Sequence, residues 1–338
     1  MNQFSQESLS GTPLGEPTAS TGIAGAPLPG QVAPGRLSNL WRSLSHNKKV
    51  LVGTIIAAFF ILVAILGPLL IHGDTAMVTE EILQPPSASH LLGTTDQGQD
   101  VFAQLIVGTR SSMFWGVLTG LLVTALSVVV GLVGGYTGGA LDEILSLISN
   151  VFLILPALPL AIVMAAYFPV KGELTVAFVI IITSWSWQAR ILRAQTLSMR
   201  NRDFVAAARA TGESPWRIIF FEILPNELPI IVAGFIGTVI YVILAAAGLE
   251  FLGLGDSSTV SWGTMFYWAQ NRGALVAGAW WWFLPPGISI ALLGIALALI
   301  NFGIDEISNP RLQTRFKKNQ REKKAVTPVR IPNQQTTS

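Results

Sequence analysis

Few residues in this chain are of a type and spacing that could do chemistry. Its three histidines, His46, His72 and His90, lie far apart in sequence and outside the apolar stretches. By spacing they assemble neither a zinc triad nor a His–carboxylate pair. The run Asp96-Gln97-Gly98-Gln99-Asp100 starts like a calcium loop but lacks the later acidic ligands. No Gly-Lys dipeptide occurs, so there is no phosphate-cradling P-loop. Gly-x-Ser-x-Gly, the nucleophile elbow, is absent too. With no cysteine, neither disulfides nor thiolate metal sites can form. These absences predict a chain that is not an enzyme and carries no metal, cofactor or nucleic acid.

The elements that would position any site are greasy. Of 338 residues, 51% are hydrophobic and only 12% charged, about half the charge of a soluble domain, which points to a bilayer as solvent. The fold class is therefore all-α, a polytopic membrane protein. Six spans are predicted at 50–71, 112–136, 144–167, 174–195, 228–249 and 282–303, each near the ~20 residues that cross a hydrocarbon layer. None has an ionisable residue at mid-depth; Glu227 and Glu250 sit at opposite ends of the fifth. A charge relay of the kind that often drives ion-coupled carriers is missing, so the energy source is expected outside the chain. Glu250 is either a carboxylate at the water interface or one facing an outer vestibule where a peptide's amino terminus could meet it.

Lys and Arg set the orientation. Eighteen of the 21 fall before the first span, from Arg190 to Arg217, or from Arg311 onward; only Arg110, Lys171 and Arg272 fall in the other segments. Under the positive-inside rule both termini are cytoplasmic. Pro156, Pro159, Pro285 and Pro286 are expected to bend their spans, and Gly131, Gly134 and Gly135 to let helices approach closely, for gating or simply for packing. The chain then divides into a disordered Gly/Pro/Ser/Thr-rich tail (1–35), an amphipathic helix on the cytoplasmic leaflet or a basic linker (36–49), the first span with its outer segment (50–111), the remaining spans (112–305) and a basic tail (306–338). Within the outer segment, Asp100 is a good N-cap for a helix starting at Val101.

The most structured polar stretch is 200–226, RNRDFVAAARATGESPWRIIFFEILPN. Two short helices are predicted in it. One covers 204–210 and stops at Gly212, which can supply a left-handed residue. The other is capped by Ser214, with Pro215 at its first position. Such a hairpin fits a partner's cleft or rests on lipid headgroups.

This stretch resembles the cytoplasmic coupling loop of ABC-importer permeases, Glu-Ala-Ala, three residues, Gly, nine residues, Ile-x-Leu-Pro. Ala206-Ala207-Ala208, Gly212 and Leu224-Pro225 hold the register, with Ala206 in place of the Glu and Glu222 in place of the Ile. Gly93, Thr94, Gly98 and Asp100 resemble the Gly-Thr-Asp-x-x-Gly-Arg-Asp segment of dipeptide, oligopeptide and nickel permeases, the C-type subunit in particular, with Gln99 replacing the Arg. FLGLG with SWG (251–263) and the NPR ending (309–311) resemble the same family. The resemblance implies a type I ABC importer permease fold in the cytoplasmic membrane. It also implies a B-type permease partner, two cytoplasmic ATP-binding subunits and an extracytoplasmic substrate-binding protein. Phe204, Ala206, Ala207, Ala208, Gly212, Glu213, Ser214, Leu224 and Pro225 would contact the ATPases. Peptides are the implied cargo, nickel chelates or glutathione the alternatives. A self-sufficient six-helix channel is the rival from another class.

Overall fold

The computed structural model describes residues 47–71 and 79–308. The N-terminal tail, all but the last three residues of the 36–49 segment, His46, His72, and the basic C-terminal tail from residue 309 lie outside the described residues. What is described is helical: the one strand-like feature there is an isolated antiparallel bridge, Thr94–Asp100. In chain order the helices are α1 (Lys48–Leu70), α2 (Val101–Thr137), α3 (Gly139–Ile154), α4 (Ala157–Tyr167) and α5 (Glu173–Met199). They continue with α6 (Asp203–Ala210), α7 (Pro215–Arg217), a π-helical stretch (Ile218–Ile223), α8 (Leu224–Phe251), α9 (Trp262–Asn271) and α10 (Trp280–Ser308). Five helices are long and apolar enough to cross a membrane, and six spans result if the bent pair α3/α4 counts as one. Ile55, Phe59, Leu62 and Leu69 stand exposed along α1, as expected where lipid rather than water is the solvent and the backbone is satisfied within the helix.

Three expectations are corrected here. The helix of the second span begins well before 112. It is the continuation of the helix that Asp100 caps, one run of 37 residues with Asp100 Oδ1 accepting from Ala103 N at 2.9 Å. At 1.5 Å per residue this is about 55 Å long, so its first turns reach beyond a ~30 Å hydrocarbon layer. Arg110-Ser111-Ser112 interrupts the hydropathy but contains no helix breaker. The third span is not one helix: α3 and α4 meet at 90° across Leu155-Pro156. Pro156 makes that break, whereas Pro159 sits in the first turn of α4, where no intrahelical N–H is lost. Pro285 and Pro286 lie inside α10 without ending it.

Packing centres on α2, α5 and α8. A Cβ on Gly131 would lie 2.7 Å from the Ala189 carbonyl oxygen, and one on Gly135 2.7 Å from Thr196 Cβ, so α2 and α5 touch backbone to backbone. Val242, Ala245 and Leu249 of α8 pack with Ala161, Ala165, Val176 and Ile180, while Val239 and Ile243 pack with Phe60, Trp262 and Leu293. The two ends of α8 therefore lie at opposite ends of the bundle, one at the 200–226 hairpin and one at α9.

Candidate functional site

At the hairpin end, α6 closes in a Schellman arrangement. Gly212 N donates to Arg209 O at 3.0 Å and Glu213 N to Ala208 O at 3.1 Å, with Gly212 at φ +80°. Ser214 then caps the next turn, its hydroxyl accepting from Arg217 N at 3.4 Å, with Pro215 at the first position. Arg217 Nε reaches Glu213 Oε2 at 3.3 Å across the turn. The second helix is not a separate short element, as the sequence suggested. From Pro215 it runs through the π-helical turn into α8, so that Pro215–Phe251 is one continuous candidate span of 37 residues.

The hairpin's inner face is anchored. Val205, Ala208, Ile218 and Ile223 form a buried cluster with Tyr136 and Met199, and the Arg209 guanidinium lies over the Tyr136 ring at 5.0 Å. Its outer face is left bare. Of the residues named from sequence, Phe204, Ala206, Ala207, Gly212, Ser214 and Pro225 are exposed, Glu213 and Leu224 half-buried, and Ala208 buried. Ala208 and Leu224 therefore hold the hairpin from within. Trp216, Phe220 and Phe221, which the sequence reading passed over, are exposed at 59%, 38% and 73%. Trp216 and Phe220 stack at 5.9 Å and 13°. The signal for that pair was there: two aromatics four residues apart share a helix face.

Beneath the hairpin, Glu227 is fully buried, and Thr196 Oγ1 donates to its Oε1 at 2.8 Å, tying α8 to the end of α5. At the other end of α8, Glu250 is 7% exposed and accepts a short hydrogen bond from Ser261 Oγ, the hydroxyl that also caps α9. Its carboxylate is turned into the protein.

The end opposite the hairpin contains a group that the sequence reading dismissed. His90 Nδ1 lies 2.8 Å from Asp100 Oδ2 and its Nε2 2.9 Å from Glu81 Oε2. A His–carboxylate pair does form, because the turn at Gly93 and the extended bridge Thr94–Asp100 fold residues ten apart onto each other. The hydrogen bond His90 makes to the Asp100 carboxylate is the main cause of its raised pKa, with Glu81 adding to it against the effect of burial. Asp96 is engaged as well, with Arg272 Nε at 3.5 Å. Among the described residues, no group of three or more His, Asp or Glu could hold a metal ion.

Residues 127–314, which include the hairpin and α8, match the family model described as "Binding-protein-dependent transport system inner membrane component". The chain belongs to this family. Residues 35–86 match a second model, the N-terminal TM domain of oligopeptide transport permease C. Among curated relatives, the dipeptide transport system permease protein DppC of Bacillus subtilis is 34% identical over 277 residues, covering 81% of this chain and 85% of the relative. The oligopeptide transport system permease protein OppC of the same species is 34% identical over 284 residues, covering 81% and 91%. A solved chain of the MetNI methionine ABC transporter, in inward-facing conformations, overlaps 61% of this chain and 94% of its own at a TM-score of 0.49 and 21% identity. The likeness to ABC-importer permeases drawn from the hairpin is borne out at the level of family. A transport permease is not a class of enzyme.

Proposed function

We propose that this chain is one of two homologous permeases in an ATP-driven importer of peptides, with a B-type permease beside it. Two cytoplasmic ATP-binding subunits grip the two permeases, and an extracytoplasmic binding protein loads the complex. Both termini face the cytoplasm in this reading, which the Lys and Arg distribution supports. The observation that carries the reading is the hairpin: its backbone is closed on itself, its inner face packs on Tyr136, and among the described residues its outer face leaves Trp216, Phe220 and Phe221 exposed. Exposed aromatics on a rigid support are the usual anchors of a protein interface. Closure of the ATPases would push this knob, and the continuous Pro215–Phe251 helix would carry the motion along the full depth of the membrane. Phe204, Ala206, Ala207, Gly212, Ser214 and Pro225 form its contact surface, and Ala208, Glu213 and Leu224 support it.

The test is reconstitution. Purified alone in liposomes, the chain should move no peptide. Purified with its partners, it should take up peptide only with ATP and the loaded binding protein. Trp216→Ala with Phe221→Ala should release the ATPases while leaving the permease pair assembled. Since the chain has no cysteine, Ser214→Cys gives it a single thiol. Labelling of that thiol by an impermeant reagent from outside intact cells would overturn the orientation, and uptake by the chain alone would favour the channel.

A further inference from the structure

A cleft of about 750 Å³ opens between the α3/α4 bend, α5, α8 and the later turns of α10. That size falls within the ~300–1,000 Å³ of small-ligand sites. Its wall contains no Asp, Glu, Lys, Arg or His. It does contain two carboxamides, each with one buried atom that has no hydrogen-bond partner among the described residues. Gln188, near the middle of α5 and 6% exposed, accepts from Thr238 Oγ1 at 3.0 Å through its Oε1. Its Nε2 is buried and has no partner among the described residues. Asn301 of α10 leaves its Oδ1 buried and without a partner among the described residues. The bare Cα of Gly234 makes the room for the Gln188 amide, since a Cβ there would collide with Nε2. All four residues line the cleft.

An orphan donor and an orphan acceptor at membrane depth cost several kcal/mol each unless a polar group answers them. Here no charge is available to answer. The group with the complementary pair is a secondary amide, whose C=O takes the Gln188 N–H and whose N–H gives to Asn301 Oδ1. We infer that this cleft is a station for the peptide backbone, in which Gln188 and Asn301 pair with a main-chain amide of the passing substrate. This rests on the reading of the chain as a peptide permease. A charge-free wall that reads only the amide handles every side chain alike and binds none too tightly to leave. Thr238 holds the Gln188 amide in position and is a positioning residue.

The experiment uses the complete transporter in liposomes, with loaded binding protein, ATP and radiolabelled trialanine. Gln188→Leu and Asn301→Leu should each lower peptide uptake per ATP hydrolysed about tenfold, the loss expected for one buried hydrogen bond. Gly234→Ala, which pushes the amide aside without removing it, should lower the same ratio about threefold by a smaller part of that energy. Replacing trialanine by a trimer with a charged side chain should change wild type and variants by the same factor. Uptake per ATP unchanged in both Leu variants means the cleft holds water only, and overturns the inference while peptide transport stands. If Gln188→Leu no longer co-purifies with the partner permease, the amide serves that interface, and the inference is equally overturned. No trialanine uptake by the wild-type complex would remove the peptide reading and the inference together.

Discussion

The two ends of the bundle are built from similar pieces and finished differently. Each has a left-handed glycine turn, a capped helix start and aromatic side chains. At the His90 end the pieces close on one another: Thr94 Oγ1 donates to Glu81 O at 2.6 Å, Trp281 Nε1 donates to Thr94 O at 3.1 Å, and His90 bridges Glu81 and Asp100. At the Gly212 end only the backbone and one face are closed. Trp216, Phe220 and Phe221 are left outside. Trp281, turned inward, stabilises this chain alone, whereas Trp216, turned outward, can meet a partner or lipid headgroups. Trp280 is exposed too, so the contrast lies in the polar bonds that close the His90 end and have no counterpart on the outer face of the Gly212 end.

The glycines sharpen this. Gly93 and Gly212 have nearly the same backbone, φ +71° and +80°. A Cβ on Gly93 would meet the Gln84 carbonyl oxygen at 2.5 Å and Trp281 Cδ1 at 2.7 Å, whereas around Gly212 nothing lies within 4 Å. Gly93→Ala therefore adds overpacking to left-handed strain and should cost about 2–4 kcal/mol, read as a lowered thermal midpoint of the purified complex. Gly212→Ala carries the strain alone, about 1–2 kcal/mol. Its main effect should appear as lost binding-protein-stimulated ATP hydrolysis, and Gly212→Val should be worse, since a β-branched residue tolerates positive φ least. Equal losses of stability at the two glycines would break the contrast; full coupling in Gly212→Val would remove the hairpin from the force path.

What the sequence made legible was local. The Asp100 cap, the stop at Gly212 and the start at Ser214-Pro215 each depend on residues within four positions, and each has a steric or hydrogen-bonding cause that acts whatever the rest of the chain does. What failed was read across distance. His90 and Asp100 meet only once the Gly93 turn is made, and Glu250 meets Ser261 only once α9 folds back. The helix expected from Val101 and the span expected from 112 are one helix, because polar residues such as Arg110-Ser111-Ser112 end a hydrophobic run without ending a helix. Pro156 and Pro159 look alike in sequence, but their effects differ because only one falls within the first turn of a helix, and that depends on where the helix starts. The outward face of Phe220, which follows Ile218 and Ile219, was hidden for a related reason. An aromatic beside isoleucines reads as core until it is known which face the core takes.

The smallest expected effect tests the closed end through its charge. The His90 pKa is raised in the folded protein. The stabilisation from the protonated imidazole is therefore fully present below its ordinary value of about 6.5 and is lost as pH rises through the higher folded value. Partial exposure of His90 and its two carboxylates limits the gain to about 1 kcal/mol or less. His90→Gln should lower the thermal midpoint at pH 6 and converge on wild type by pH 9. Asp100→Asn separates charge from capping, since asparagine caps the start of α2 as well as aspartate does. It should flatten the pH dependence and leave the helix start intact. A His90→Gln deficit that stays constant or grows with pH would mean the imidazole acts as a neutral spacer. Gly212 variants should leave this pH profile unchanged, because the hairpin and the His90 bridge lie at opposite ends of the bundle and have no residue in common.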